Sequence, residues 1–306
     1  MSKITVLITG VTGLVGDGLA RFFLNRGYSV IGTSRKNVSS WHPNLKIVNI
    51  NFSKFNLTNQ LEEIINQADW IIHNAAKIKR GEMSIEEGLR LFRSNTTIIY
   101  DFLRILAGYP KKKFIFISSA RPFRSLNSFP DKLIGYNNFD EYLTSKVMAE
   151  IICNQFVLAN KVKALIMRIS APYGYVLNNA VVSKFIKKVR LGEDITIWGN
   201  GTREQIFTFV EDIGLACELA FQNDSVGVFH ISGGKPITMK QLAKEIIHVF
   251  PESDSKVVFE DRIDPEEGEH IHYSTEKARK VFDYSPQHTI HQGLEKIADF
   301  MINNDL

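Results

Sequence analysis

ITVLITGVTGLVGDGLARFFLNRG, residues 4–27, runs from an apolar segment through spaced glycines into a second apolar pattern of different period. Its first part, ITVLITG (4–10), is almost continuously apolar, as befits a parallel strand covered on both faces. After the glycines, Leu14, Leu19, Phe22 and Phe23 recur near the helical period. In the connecting loop TGVTGLVG (9–16), Gly10 permits a tight turn, Gly13 lets backbone amides approach a pyrophosphate, and Gly16 allows close helix–strand packing. The helix opening there offers free N–H groups and a partial positive charge. Gly10, Thr12, Gly13, Leu14, Val15 and Gly16 are therefore a candidate phosphate cradle for a dinucleotide.

The strand–helix unit repeats. YSVIGTS (28–34), LKIVNI (45–50), WIIHNAA (70–76), KFIFISS (113–119) and KALIMRIS (163–170) are further apolar strands separated by helical patterns. Such alternation predicts a Rossmann-type α/β fold, a doubly wound parallel sheet with right-handed crossovers. Beyond residue 172 the pattern is mixed, with helices expected at 180–191, 211–221, 238–250 and 289–302 and short strands such as ITIW and GVFHIS. Residues 1–172 are read as the dinucleotide-binding domain. Residues 173–306 are read as a smaller substrate lobe over the C-terminal edge of the sheet, with some chain exchange between the two.

The end of the second strand bears on which dinucleotide binds. A carboxylate there would accept the adenosine ribose hydroxyls. Instead the chain has Gly32-Thr33-Ser34-Arg35-Lys36, with no acid and two cations. A guanidinium can grip a 2′-phosphate and stack on adenine, which favours NADP(H) over NAD(H).

A tyrosine precedes a lysine by four residues at Tyr109/Lys113, Tyr142/Lys146 and Tyr273/Lys277. Pro110 breaks the first pair's helix, and the third straddles an expected strand-to-helix junction. Tyr142 and Lys146 lie within DEYLTSKVMAEIICNQFVLA, a sustained helical pattern, and so share one face. They follow Ser118-Ser119, the end of the fifth strand, by about two dozen residues. A hydroxyl, a phenol and an ammonium thus converge on the rim where a nicotinamide would lie.

TGVTGLVG, WIIHNAA, Asn95 in RSNTT, FIFISSA, YLTSK, RISAPYG, WGNGTREQIFTFVEDI and GVFHISGG follow one another in order nearly end to end. In this the chain resembles the extended short-chain dehydrogenases/reductases, the NAD(P)-dependent sugar epimerase/dehydratase family. The resemblance implies that Tyr142 is the acid/base for a substrate hydroxyl or carbonyl. It implies that Lys146 lowers the phenol's pKa and holds the nicotinamide ribose, and that Ser119, ahead of Ser118, bonds the same oxygen. Asn74, Ala75 and Ala76 resemble the turn beside the cofactor, and Asn95 is implied to bind the cofactor too. The hydride moves at the nicotinamide ring itself. A homodimer through helices around 82–108 and 139–160 is also implied.

The chain departs from that family in places. Relatives that dehydrate carry an Asp-Glu pair after the active-site hydroxyl residue, whereas Ala120-Arg121 stand here. Arg121 and Arg124 could face an anionic substrate. The asparagine that often ends the sixth strand is Ala171, and the arginine that often grips a diphosphate is Gln205, with Arg203 two positions earlier. DRIDPEEGE (261–269) is acidic where such arginines are often found.

Composition narrows the classes. At 306 residues, 44% hydrophobic and 23% charged, the chain has globular character, and its net charge of +4 suits an anionic small molecule. Lys111-Lys112-Lys113 has no interleaved aromatics, which argues against a nucleic-acid surface. No apolar run approaches the ~20 residues that span a bilayer. Met1-Ser2-Lys3 runs directly into a strand, and Cys153 and Cys217 sit in apolar helical patterns, so a reducing, cytoplasmic setting is expected. The eight histidines form no ligand cluster; His270 and His272 alternate on an expected strand, and no metal site is expected. The leading reading is an enzyme acting on a hydroxyl or ketone at carbon 4 of a nucleotide-linked sugar, as an epimerase that retains its cofactor or a ketoreductase that exchanges NADPH. Alternatives are a reductase of another small carbonyl compound and a non-catalytic NADP-sensing protein.

Overall fold

Side chains alternate across a strand, and here both parities are apolar. The result is a sheet with helices on each face. In the computed structural model, which describes residues 3–52, 58–78, 81–123, 140–268 and 273–304, the first half contains β1 (Thr5–Ile8), α1 (Leu14–Asn25), β2 (Ser29–Ser34), β3 (Leu45–Asn49), α2 (Thr58–Asn66), β4 (Trp70–His73), α3 (Ile85–Leu106), β5 (Lys113–Ser119), α4 (Glu141–Leu158) and β6 (Ala164–Ile169). The second half adds β7 (Pro172–Tyr173), α5 (Val181–Arg190), β8 (Ile195–Trp198), β9 (Glu204–Gln205), β10 (Thr208–Phe209) and α6 (Val210–Gln222). It continues with β11 (Gly227–Ile231), β12 (Ile237–Thr238), α7 (Met239–Val249), β13 (Val257–Glu260), α8 (Glu276–Phe282) and α9 (Ile290–Asn303).

Seven of the described strands form one parallel sheet in the order β11-β6-β5-β4-β1-β2-β3. This is the expected Rossmann-type architecture. The order reverses between β1 and β4, and a crevice at such a switch point is where open α/β sheets take ligands. Val6, Ile8, Ile72, Ile115, Ile117 and Met167 pack on one face with α1, α6 and α8. Leu7, Ile31, Ile71, Phe114, Phe116 and Ile166 pack on the other with α2, α3 and α4. A third core joins α5, α7 and α9 with β8 and the aromatic rings of Tyr173, Phe207 and Phe209. His270 and His272 lie outside the described residues.

The two halves are interwoven. β11 comes from the second half yet pairs with β6 in the main sheet, and α6 packs against α1. Their approach depends on small residues: a Cβ at Gly18 of α1 would come within 2.3 Å of Val210. Trp70 stacks on Phe221 of α6 at 4.7 Å, completing that layer. Gly18→Ala should therefore push α6 from α1 at a cost of about 2 kcal/mol, lowering the thermal midpoint by roughly 3 °C. Gly234→Ala, where an added Cβ meets nothing within 4 Å, is the control and should leave the midpoint unchanged in the same calorimetric scan.

Candidate active site

The glycine loop leaves β1 through Gly10, whose φ of +72° strains any residue with a side chain. A Cβ at Gly16 would lie 2.1 Å from the Gly10 carbonyl oxygen, so only glycine lets α1 start this close to the strand. Gly13 is the N-cap, and no side chain caps the helix. The first-turn amides of Leu14, Val15 and Gly16 thus open beside the switch point, with Thr12 on the loop. Those features fit the pyrophosphate of a dinucleotide.

Ser34, at the end of β2, is buried, and its Oγ accepts from Lys36 N at 3.1 Å and lies 3.5 Å from Thr12 Oγ1. Arg35 and Lys36 are exposed beside it. The turn after β4 is held from below. Thr9 Oγ1 accepts from Asn74 N at 3.0 Å and Ala75 N at 2.9 Å, so its own hydrogen goes to His73 Nδ1 at 3.0 Å. That assigns His73 the tautomer with hydrogen on Nε2. Ala75 closes against Gly10 at a distance that would leave an added Cβ 3.1 Å away, and Ala76 follows it along the crevice. Asn95 is buried and fully engaged: Oδ1 accepts from Lys77 N at 2.8 Å, while Nδ2 donates to Lys77 O at 3.0 Å and Ser145 Oγ at 2.9 Å. It joins the turn to α4.

α4 starts at an Asp140 N-cap, whose carboxylate accepts from Leu143 N at 2.8 Å. Tyr142 is half-buried, and Lys146, 4% exposed, donates to Ile117 O of β5 at 2.8 Å. Lys146 Nζ also lies 4.7 Å from the Phe116 ring and 5.9 Å from the Tyr142 ring. Ser119, two residues along the strand, is partly exposed, and its Oγ accepts from Arg121 N at 3.2 Å. Ser118 points elsewhere, donating to Glu150 at 2.5 Å.

The other tyrosine–lysine pairs come apart. Tyr109 donates to Glu62 while Lys113 pairs with Asp224 at 2.8 Å. Tyr273 is buried against Ala120 and Ile206, while Lys277 donates to Val228 O.

Burial pushes the Tyr142 phenol up to about 12, and the Asp140 carboxylate adds to the rise. Burial pulls the Lys146 ammonium down to about 8, opposed by the Glu150 carboxylate. The Lys146 ammonium, 5.9 Å from the Tyr142 ring, spends a hydrogen bond on Ile117 O. Burial, and the charge of Lys146, take His73 down to about 3, so it is neutral at working pH.

Further along the rim the expected substrate cations are already paired. Arg203 Nη1 donates to Glu266 at 3.0 Å and its Nε lies 3.4 Å from Asp264. Arg121, largely exposed, is 3.9 Å from the same Glu266. Gln205 sits in β9, paired with Ile237 of β12, and Ala171 packs into the third core. Arg262 stacks on Trp198 at 3.7 Å. Arg124 lies outside the described residues. Sequence reasoning did not single out Thr9, His73, Glu150 or Arg168; the i, i+4 spacing of Lys146 and Glu150 was the one local signal for any of them.

The chain is similar to known proteins over nearly its whole length. The model of the family described as NAD dependent epimerase/dehydratase matches residues 6–232. A UDP-glucuronate 4-epimerase of Thermodesulfobacterium geofontis is 24% identical over 97% of this chain and 96% of its own. The structure of Thermotoga maritima UDP-glucose 4-epimerase with UDP-glucose superposes with a TM-score of 0.81 at 21% identity, covering 99% of this chain and 100% of that one. Bacillus cereus UDP-glucuronic acid 4-epimerase, in complex with UDP-glucuronic acid and NAD, gives 0.80 at 19% identity, covering 98% and 100%.

His73 makes the scaffold of this site acid-sensitive. Its native pKa of about 3 lies below the ordinary 6.5, so between these values the unfolded chain binds the extra proton and stability falls as pH falls. In His73→Gln the thermal midpoint should depend less steeply on pH between 6.5 and 4 than in the parent; parallel curves would contradict the assignment.

Proposed function

The chain belongs to the NAD dependent epimerase/dehydratase family, and from that premise we propose that it oxidises or reduces a hydroxyl or ketone at carbon 4 of a nucleotide-linked sugar, with NADP(H) preferred over NAD(H). The observation that carries this reading is the fastening of Lys146 to Ile117 O, which sets the Tyr142 face of α4 against the strand end bearing Ser119. Bound in the crevice, the dinucleotide supplies the hydride acceptor or donor. The amides around Gly13, Leu14, Val15 and Gly16 hold its phosphates, with Gly10 and Thr12 shaping the loop. Ser34, Arg35 and Lys36 hold the adenosine side. Asn74, Ala75 and Ala76 line its path, and Asn95 positions that turn. Ser119 orients the substrate oxygen and Tyr142 exchanges the proton with it. Lys146 places positive charge beneath both.

Ser34, Arg35 and Lys36, with no acid at the end of β2, suit NADPH. That observation favours a ketoreductase exchanging NADPH as the second reading beside a cofactor-retaining epimerase. Ala120, buried against Ile206 and Tyr273, and Arg121 stand after Ser119 where an acid pair for water elimination would be. A diphosphate binding at Arg203 or Arg121 exchanges with Glu266 and Asp264. Residues 1–172 carry the dinucleotide and 173–306 most of the substrate contacts. Among the described residues no helix is long and apolar enough to cross a membrane, and we assign the enzyme to the cytoplasm.

Titrating the parent and Tyr142→Phe with NADPH and NADH, then measuring turnover, tests the reading. NADPH should bind both proteins alike and more tightly than NADH, while kcat falls about 10²-fold or more in the variant. Undiminished turnover would sink the role of Tyr142, and NADH preference the role of Arg35 and Lys36. Exposed Ile85, Leu89 and Tyr100 on α3, with Met148, Ile151 and Leu158 on α4, support a homodimer through these helices. Light scattering should give twice the chain mass, and Ile151→Glu should halve it.

A further inference from the structure

Ser118, Arg168 and His230 stand side by side across three parallel strands, Ser118 beside Arg168 in β5–β6 and Arg168 beside His230 in β6–β11. This polar row lies one residue below Ser119. A single carboxylate from α4 reaches it. Glu150 Oε1 accepts from Ser118 Oγ at 2.5 Å and Arg168 Nε at 3.1 Å; Oε2 accepts from Arg168 Nε at 3.0 Å and Nη2 at 2.6 Å. Glu150 is one helical turn beyond Lys146 and two beyond Tyr142, so the three share a face. α4 is therefore fastened to β5 at two consecutive residues, Lys146 on Ile117 O and Glu150 on Ser118 Oγ. Attachments a turn apart set both the height and the rotation of the helix against the strand, and hence where Tyr142 stands relative to Ser119.

Stability alone is a weak reason for this arrangement. Glu150 is 6% exposed, and a buried ion pair is often matched by apolar packing of similar volume. What a carboxylate supplies here and an apolar residue does not is negative charge one turn from a buried ammonium, shared with the Arg168 guanidinium that it pairs at 2.6 Å. The ionisable groups facing Lys146 are Tyr142, Glu150 and Cys153 on its own helix and His73 from β4. Burial keeps the Cys153 thiol and the Tyr142 phenol protonated and His73 neutral. Glu150 is the carboxylate among them.

We propose that Glu150 is a positioning residue for Lys146: it carries the counter-charge of the buried ammonium and, through Ser118, holds α4 in register with the strand end that bears Ser119. The inference rests on the reading of Tyr142 and Lys146 as the acid–base pair. Glu150→Gln alone would strand Arg168 beside it, so the informative comparison is R168M against E150Q/R168M, both lacking the guanidinium. In protein labelled with [13Cε]lysine, with Lys146→Met identifying the resonance, NMR reads the ammonium's titration midpoint directly. The midpoint should lie roughly one pH unit or more lower in E150Q/R168M than in R168M. Equal midpoints overturn the proposal. If E150Q/R168M does not fold, Glu150→Asp, which withdraws the charge by one methylene, should lower the midpoint by a smaller step, and an unchanged midpoint there overturns it equally. No turnover is read, so failure of the counter-charge role is separate from failure of the acid–base reading, which would appear as a Tyr142→Phe protein that still turns over.

Discussion

Burial of the central sheet on both faces is the constraint on which the rest of the molecule depends. Because successive side chains point oppositely, each strand contributes one parity to the layer of α1, α6 and α8 and the other to that of α2, α3 and α4. Parallel pairing leaves the strands' C-terminal ends together at one edge, so residues distant in sequence meet there. Gly10, Ser34, His73 and Ser119 are all at or just past such ends. The site is thus a consequence of how the sheet is covered.

Polar groups placed beneath that edge are out of water and need partners. Asn95 meets its need by joining the turn after β4 to α4; Thr9 serves two amides and a histidine; Lys146 spends a hydrogen bond on a backbone carbonyl; Glu150, Ser118 and Arg168 satisfy one another. Each contact also ties one secondary element to another. The same network that offsets desolvation therefore sets the geometry of the rim, where Tyr142 and Ser119 are partly buried.

At the outer rim the balance differs. Arg203, 28% exposed, pairs with the buried Asp264 and with Glu266, and Arg121, 60% exposed, lies 3.9 Å from Glu266, while Glu267 accepts from Asn200 N at 2.8 Å and Thr202 Oγ1 at 3.3 Å. The acidic segment that follows β13 is thereby fastened across the loop before β9. The exposed Arg121 pair is of the weak kind that salt screens, whereas the pair of Arg203 with Asp264 is largely buried.

The parallel α/β architecture, the glycine loop and the shared face of Tyr142 and Lys146 were legible in the sequence because each depends on short-range spacing: apolar runs, glycines at a strand–helix junction, an i, i+4 step within one helix. Choosing among the tyrosine–lysine pairs was possible for the same reason, since Pro110 breaks one helix locally. The partners of those groups were not legible. That Lys146 meets Ile117 O, that Glu150 meets Ser118 and Arg168, and that Arg203 faces acids some sixty residues away are set by strand register and helix docking. The direction of the Tyr142 shift follows from them too, because desolvation is a property of the packed surroundings. Spacing along a chain is local, whereas burial and charge balance are sums over everything the fold brings near, and only the tertiary structure determines those.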